Sequence, residues 1–123
     1  MKRFTRQMLA LTILCLPAAA FAGHSNLQVP PADTFLLGGD QAAAMMVTGK
    51  NVGRSAVLIL SRTGGKDSEI ATVPPGAKFE HRFAVGETAL IRNTSATATA
   101  RVSVDFTGSP SSLSMGYALP QKK

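Results

Sequence analysis

Histidine and methionine are the side chains of this sequence best suited to binding a soft metal ion. His24 and His81 are its two histidines, and imidazole and thioether ligands suit copper. Cleavage after Ala22 would leave Gly23 and His24 at a new N-terminus, where the α-amine, a backbone nitrogen and the imidazole could chelate Cu(II). Copper binding by a periplasmic carrier is therefore one alternative function. Its candidate ligands are Gly23, His24, Met45, Met46, His81 and Met115.

The methionines also have an ordinary structural explanation, because methionine commonly fills irregular spaces in protein cores. Met45 and Met46 are adjacent, so in a strand they would point to opposite faces. The sequence contains no Met-x-x-Met or His-x-Met motif. The pattern therefore favours core packing over a metal site, and we expect no cofactor.

Hydrolysis by a serine, histidine and acid triad is a second alternative, and it depends on His81. Phe79, His81 and Phe83 alternate with charged residues, which places His81 on the apolar face of a strand. His24 lies close to the expected mature end, a poor platform for a general base. No Gly-x-Ser-x-Gly motif is present to expose a nucleophile. We therefore predict a protein without catalytic residues.

The distribution of charge argues against a nucleic-acid partner. The formal net charge is +6, but three of the 13 basic residues lie among the first 22. The remainder carries ten basic against seven acidic residues, a net charge of +3, and its longest basic run is the pair Lys122–Lys123. Nucleic-acid binding requires a clustered basic face, and none is visible.

The first 22 residues have the composition of a secretory signal peptide. Basic residues occur within positions 2–6, and an uncharged, largely apolar run follows from Met8 to Leu16. Ala20 and Ala22 are the small residues, two apart, that a signal peptidase reads. We expect cleavage after Ala22 and a periplasmic or secreted protein.

The chain that remains, residues 23–123, is expected to be one domain with no anchor in the membrane. Cys15, the single cysteine, lies inside the predicted leader and follows Leu14 instead of the small residue that a lipoprotein signal needs. Outside the leader, no apolar run approaches the roughly 18 residues of a membrane span. The sequence therefore predicts neither a lipid anchor nor a transmembrane segment.

Strict alternation of apolar and polar residues indicates strands throughout residues 23–123. The clearest strand is Thr97–Thr107, and the apolar run Ser55–Arg62 suits a central strand that is covered on both faces. Turn signals such as Pro74-Pro75-Gly76 separate the strands. The spacing predicts seven to nine short strands in one antiparallel β-sandwich of immunoglobulin-like architecture. The ends, residues 23–26 and 120–123, are expected to be frayed.

The last predicted strand suggests an interaction surface, because it carries a row of apolar side chains. This row consists of Leu113, Met115, Tyr117 and Leu119. The first strand, near Leu27–Val29, and the last are the predicted sheet edges, and unpaired edge groups can accept an added strand. We therefore expect a small exported, non-catalytic β-domain that binds or supports another protein or surface component of the bacterial envelope.

Overall fold

The computed structural model describes residues 22–41, 43–107 and 114–119. Within these ranges the chain forms nine β-strands and no helix, so none that could span a membrane. The strands are β1 (Ala22–Val29), β2 (Thr34–Gly38), β3 (Met45–Asn51), β4 (Val57–Thr63), β5 (Lys66–Val73), β6 (Lys78–Phe83), β7 (Thr88–Asn93), β8 (Ala100–Thr107) and β9 (Met115–Tyr117). They form two antiparallel sheets, which confirms the predicted all-β sandwich.

The strand order shows how the chain is wound. The four-stranded sheet has the order β1-β8-β3-β6, and the five-stranded sheet has the order β5-β4-β7-β2-β9. The pairs β1 and β8, β2 and β7, β3 and β6, and β4 and β5 are each hydrogen-bonded neighbours. This is the pattern of one long two-stranded hairpin that has folded over to form two sheets. This is the arrangement of a jelly roll, with β9 added beside β2. The predicted immunoglobulin-like architecture thus agrees in its two packed sheets, while the connectivity is that of a jelly roll.

The core lies between the sheets and follows directly from the two-residue period of the strands. In β8, Ala100, Val102, Val104 and Phe106 are buried and alternate with more exposed residues. Strand β4 lies between β5 and β7, as expected for a central strand, and both Val57 and Ile59 belong to the core. The remaining core residues come from the inward-facing positions of the other strands.

The boundaries of β1 and β8 are among those that differ from the sequence prediction. Strand β1 begins at Ala22 and pairs with β8 along its whole length, so the prediction that residues 23–26 are frayed is wrong. Gly23 permits this pairing, because a Cβ there would lie 2.5 Å from the ring of Phe106. Strand β8 begins at Ala100, three residues later than predicted. Residues 120–123 lie outside the described ranges.

Turns and buried amides hold the ends of the sandwich. The predicted Pro74-Pro75-Gly76 turn is present: Gly76 has a φ of 84°, and the Ala77 N–H donates to the Pro74 carbonyl at 3.0 Å. Buried Asn93 donates from Nδ2 to three carbonyl oxygens, and its Oδ1 accepts from the Ser95 N–H. A side chain satisfied on all sides in this way fixes the loops that surround it.

The outer face of the five-stranded sheet has its own buried pair, Leu60 and Leu90, which are register partners. Asp67 accepts from Arg62 Nε at 2.7 Å and lies 3.8 Å from Arg92 Nη2. Arg62 and Asp67 are register partners, whereas Arg92 stands on the other side of the Leu60 row, so the contact between Arg92 and Asp67 crosses that row. The hydrogen bond from Arg62 holds the pKa of Asp67 below its usual value. The part of this outer face over β4 and β7 is therefore covered by its own side chains.

Candidate functional site

The structure disperses the six candidate copper ligands over both sheets. His24 is on the outer face of β1, where its Nδ1 lies 2.7 Å from Asp105 Oδ1, so the nitrogen needed for an N-terminal chelate already has a partner. Met45 is buried in the core, and Met46 points to the opposite face of β3. Gly23 is a β1 residue that pairs with β8, and Met115 belongs to β9 of the other sheet. Within the described ranges, no three His, Cys, Asp or Glu side chains are grouped to hold a metal ion.

His81 lies on the inner face of β6, where its ring meets the ring of Phe83 edge-on at a centroid distance of 4.8 Å. The Glu87 carboxylate is near enough to His81 to interact with it electrostatically, and Ser61 Oγ donates to Glu87 Oε2. Glu87 Oε1 also accepts from the Ala84 N–H at 2.6 Å. The serine proton is therefore directed to the carboxylate and not to the imidazole. This arrangement fixes the turn between β6 and β7 and does not form the serine–histidine contact of a triad.

These hydrogen bonds also set the ionisation of Glu87. The hydrogen bonds from Ser61 and from the Ala84 N–H hold the pKa of Glu87 below its usual value, and the nearby His81 acts in the same direction. Buried Gln41 supports the same turn, because its Nε2 donates to the carbonyls of Ala84 and Glu87 at 2.8 Å each. Sequence reasoning missed this cluster, since Gln41, Ser61 and Glu87 lie 20 or more residues apart along the chain and carry no motif.

The predicted interaction row is only partly covered. Tyr117 packs against Phe35 with ring centroids 5.5 Å apart, and its side chain is half-buried. Met115 and Leu119 are each 48% exposed. Leu113, the fourth member of the row, lies outside the described residues. The row therefore combines one residue that closes the sandwich with two that face solvent.

The predicted edge strands β1 and β9 are indeed the terminal strands of the two sheets. They lie on the same side of the sandwich, because the Tyr117 hydroxyl donates to the Gln28 carbonyl at 3.0 Å. We call this side the β1/β9 side. Neither strand contains a Lys, Arg, Asp or Glu residue. Charged edge residues are a common protection against strand addition, so this side lacks that protection.

The direction of the backbone groups shows which of them are available on this side. The Gln28 carbonyl is turned away from β8, and in an antiparallel strand every second residue shares that direction. His24 and Asn26 therefore also point their N–H and C=O groups outward. In β9, the bonds Gly38 N to Ser114 O and Ala118 N to Thr34 O leave the groups of Met115 and Tyr117 outward by the same alternation.

A shallow groove of about 310 Å³ accompanies this edge on the outer face of β2 and β9. Leu36 lines it from this face, and its register partner Gly116 contributes no side chain. Met115 and Tyr117 also border the groove, although their register partners Leu37 and Phe35 belong to the core. An extended segment placed beside β9 would have every second side chain on this face. The groove is therefore positioned to receive one of those side chains.

The opposite side of the sandwich, formed by β5 and β6, has the usual protection of a sheet edge. β6 carries Lys78, Glu80 and Arg82 at alternate positions. β5 begins with Lys66 and Asp67, and its pairing with β4 is interrupted by a register shift. Charges and bulges of this kind prevent a further strand from adding. The sequence predicted β1 and β9 as edges, but not that they adjoin or that the other two edges are protected.

Comparisons with known proteins add little to this description. No protein-family model matches the sequence, and no curated protein matches it. A search of solved structures found the crystal structure of the Yersinia pseudotuberculosis-derived mitogen, with a TM-score of 0.47 and 13% sequence identity. The match covers 75% of this chain and 89% of that chain. A similarity of this size says nothing about what the present chain binds.

Proposed function

We propose that this chain is exported to the bacterial envelope and acts there as a non-catalytic binding domain. Its partner adds an extended segment to the β1/β9 side. The observation that carries this proposal is the presence, on one side of the sandwich, of two neighbouring sheet edges that contain no charged residue. The export signal at residues 1–22 supports the compartment.

Strand addition fits this side because it offers both parts of such an interface. The outward N–H and C=O groups of His24 and Asn26 supply main-chain hydrogen bonds. Exposed Met115 and the groove beside β9 supply contact for apolar side chains. We expect a partner segment with alternating apolar residues, in a protein or surface component of the envelope.

Site-specific photo-crosslinking tests the location of the partner. A benzoylphenylalanine at Met115 is expected to crosslink the purified protein to an envelope component, whereas the same group at exposed Thr72 on β5 should not. Equal crosslinking from both positions, or crosslinking from Thr72 alone, would contradict the proposal.

A proline substitution tests whether the contact is strand addition. Asn26→Pro removes an outward N–H but none of the bonds to β8, and proline is tolerated at such edge positions. It should abolish the crosslink from Met115 and leave the unfolding temperature nearly unchanged. Asn26→Ala keeps the N–H and should keep the crosslink. Equal crosslinking by the proline and alanine variants would show that β1 accepts no strand.

The proposed export has its own test. Expression of the full chain in a bacterium should yield a periplasmic or secreted protein whose mass corresponds to a start at Gly23. Cleavage would remove Ala22, the first residue of β1, so the strand would then begin at the new N-terminus. Recovery of an unprocessed protein from the cytoplasm would contradict export without bearing on the edge strands.

A further inference from the structure

A second surface, separate from the β1/β9 side, has the shape and chemistry of a ligand site. A groove of about 370 Å³ lies on the outer face of the four-stranded sheet. Its size is near the lower end of small-molecule sites, which occupy roughly 300–1,000 Å³. The polar residues that line it are Thr48, Lys50, Lys78, Glu80, Ser103 and Asp105.

The strand register explains the groove, because two rows of outward-facing partners cross β8, β3 and β6. The rows are Asp105, Thr48 and Glu80, followed by Ser103, Lys50 and Lys78. Short side chains at Thr48 and Ser103 form the floor, while Lys78 and Glu80 of the edge strand rise beside it. One end of the groove therefore presents ammonium groups and the other presents carboxylates.

The two lysines of the second row face each other with no counter-charge. Lys50 and Lys78 are register partners on neighbouring strands, and both are exposed. Among the residues that the structure describes, neither lysine has a carboxylate within ion-pair distance. Like charges directly opposite each other in a sheet are destabilising. An anionic group between them would relieve this repulsion, with the Ser103 hydroxyl as a further donor.

The first row restricts which anion can bind. Glu80 and Asp105 repel a small ion such as phosphate, but their oxygens accept hydrogen bonds from neutral hydroxyl groups. Asp105 keeps one oxygen for this purpose, because its other oxygen faces His24. A ligand that fits both rows carries a negative group at one end and several hydroxyls at the other.

We propose that this groove binds an anionic saccharide. Its carboxylate, sulfate or phosphate ester lies between Lys50 and Lys78, and its hydroxyls bond to Glu80, Asp105 and Thr48. No aromatic side chain is among the groove residues, so a neutral sugar ring has no platform to stack on. The charge therefore dominates recognition, and binding weakens as the salt concentration rises.

NMR titration of the purified protein tests this inference. The probes are an oligogalacturonate trimer, its neutral methyl ester and sodium sulfate. The acidic trimer is expected to shift the amide resonances of β3, β6 and β8 around the groove, with saturation below about 10 mM. The ester and sulfate should shift them far less. No saturation by the acidic trimer, or an equal response to the ester or to sulfate, would overturn the proposal.

Substitutions then assign the binding to the groove. Lys50→Gln and Lys78→Gln should each weaken trimer binding by about fivefold, the upper range for an exposed ion pair. Lys66→Gln removes the same charge at the β4–β5 turn and should leave affinity unchanged. Asn26→Pro at the β1 edge should also leave it unchanged, so failure of the edge interface and failure of this site are separable. Equal effects of Lys66→Gln and Lys78→Gln would show a non-specific charge effect.

Discussion

The β1/β9 side and the β5/β6 side of the sandwich are each closed by a hydrogen bond, but the groups that form this bond differ. On the β1/β9 side, Tyr117 of one sheet donates to the Gln28 carbonyl of the other, and both strands lack charges. On the β5/β6 side, Ser61 of β4 donates to Glu87 in the turn that follows β6, and the edges carry charged residues. One side is therefore closed by neutral groups, and its edge strands lack the charges that prevent strand addition. The other is closed by a carboxylate and protected.

The two sides therefore differ in the groups that stabilise them and in whether their edge strands are protected from strand addition. The contact between Ser61 and Glu87 on the charged side depends on pH, because it involves a carboxylate whose pKa is lowered, whereas the contact between Tyr117 and the Gln28 carbonyl involves no carboxylate. An edge that accepts a partner must keep its outward groups free of repulsion, and the neutral side meets that condition.

The largest expected effect comes from removing the side chain that closes the neutral side. Tyr117→Ala deletes a half-buried ring, its contact with Phe35 and its hydrogen bond, and should lower the free energy of unfolding by about 3 kcal/mol. Tyr117→Phe is the matched control and should cost only about 1 kcal/mol. Urea unfolding measures both. Equal losses would show that the ring contributes nothing beyond its hydroxyl.

The next effect concerns the charged side and its dependence on pH. Glu87→Gln weakens the hydrogen bonds from Ser61 and Ala84 and should lower stability at pH 7 by about 2 kcal/mol. The pKa of Glu87 is lowered in the folded protein, so its contribution is present above the unfolded value, about 4.3, and is lost as pH falls through the folded value.

Wild type and Glu87→Gln should therefore converge in stability as the pH falls through the folded pKa of Glu87, which lies below its usual value. The variant keeps some acid sensitivity, because hydrogen bonds also lower the pKa of Asp40 and of Asp67. Thermal unfolding across the acid range measures this convergence. A constant gap between the two proteins would contradict the assignment.

Removing charged residues from β6 is expected to create a second sheet edge that accepts an added strand. Glu80→Thr combined with Arg82→Thr leaves β6 uncharged between Phe79 and Phe83 but retains strand-forming residues. We expect weak, concentration-dependent self-association by light scattering, with a change in stability of less than about 1 kcal/mol. A strictly monomeric double variant would show that charge does not distinguish the two sides.

The smallest effect tests the opposed lysines. Lys78→Gln removes the repulsion with Lys50 and should raise the free energy of unfolding by roughly 0.3 kcal/mol at low salt. The gain should vanish at high salt, because exposed charges are screened. A loss of stability at low salt would show that Lys78 has an attractive partner.

The sequence correctly predicted those structural features that depend on one short segment alone. Alternation identified β8 and most of β6, and the Pro74-Pro75-Gly76 turn was predicted residue by residue. It also named β1 and β9 as edges. It failed at residues 23–26, whose polar composition resembles a frayed end but whose backbone pairs with β8.

The candidate sites differ in the same way: some are visible within one segment of the sequence, and others depend on contacts between distant segments. The role of Tyr117 and Met115 as an interaction surface stays a prediction, but both were named from the sequence, because an apolar row in the last strand is visible there. The Ser61–Glu87 contact and the opposed pair Lys50 and Lys78 were not, since they depend on strand register between distant segments. The copper candidates failed to converge for the same reason: their residue types were suitable, but their strands lie in different parts of the fold.

The amino-acid sequence alone determined that this protein is a β-sandwich and which residues face its core, because burial imposes a period of two on each strand separately. Only the tertiary structure decided the jelly-roll order, the placement of β1 and β9 on the same side of the sandwich, and the groove across β8, β3 and β6. These features arise from which strands become neighbours, and that choice depends on the packing of the whole chain.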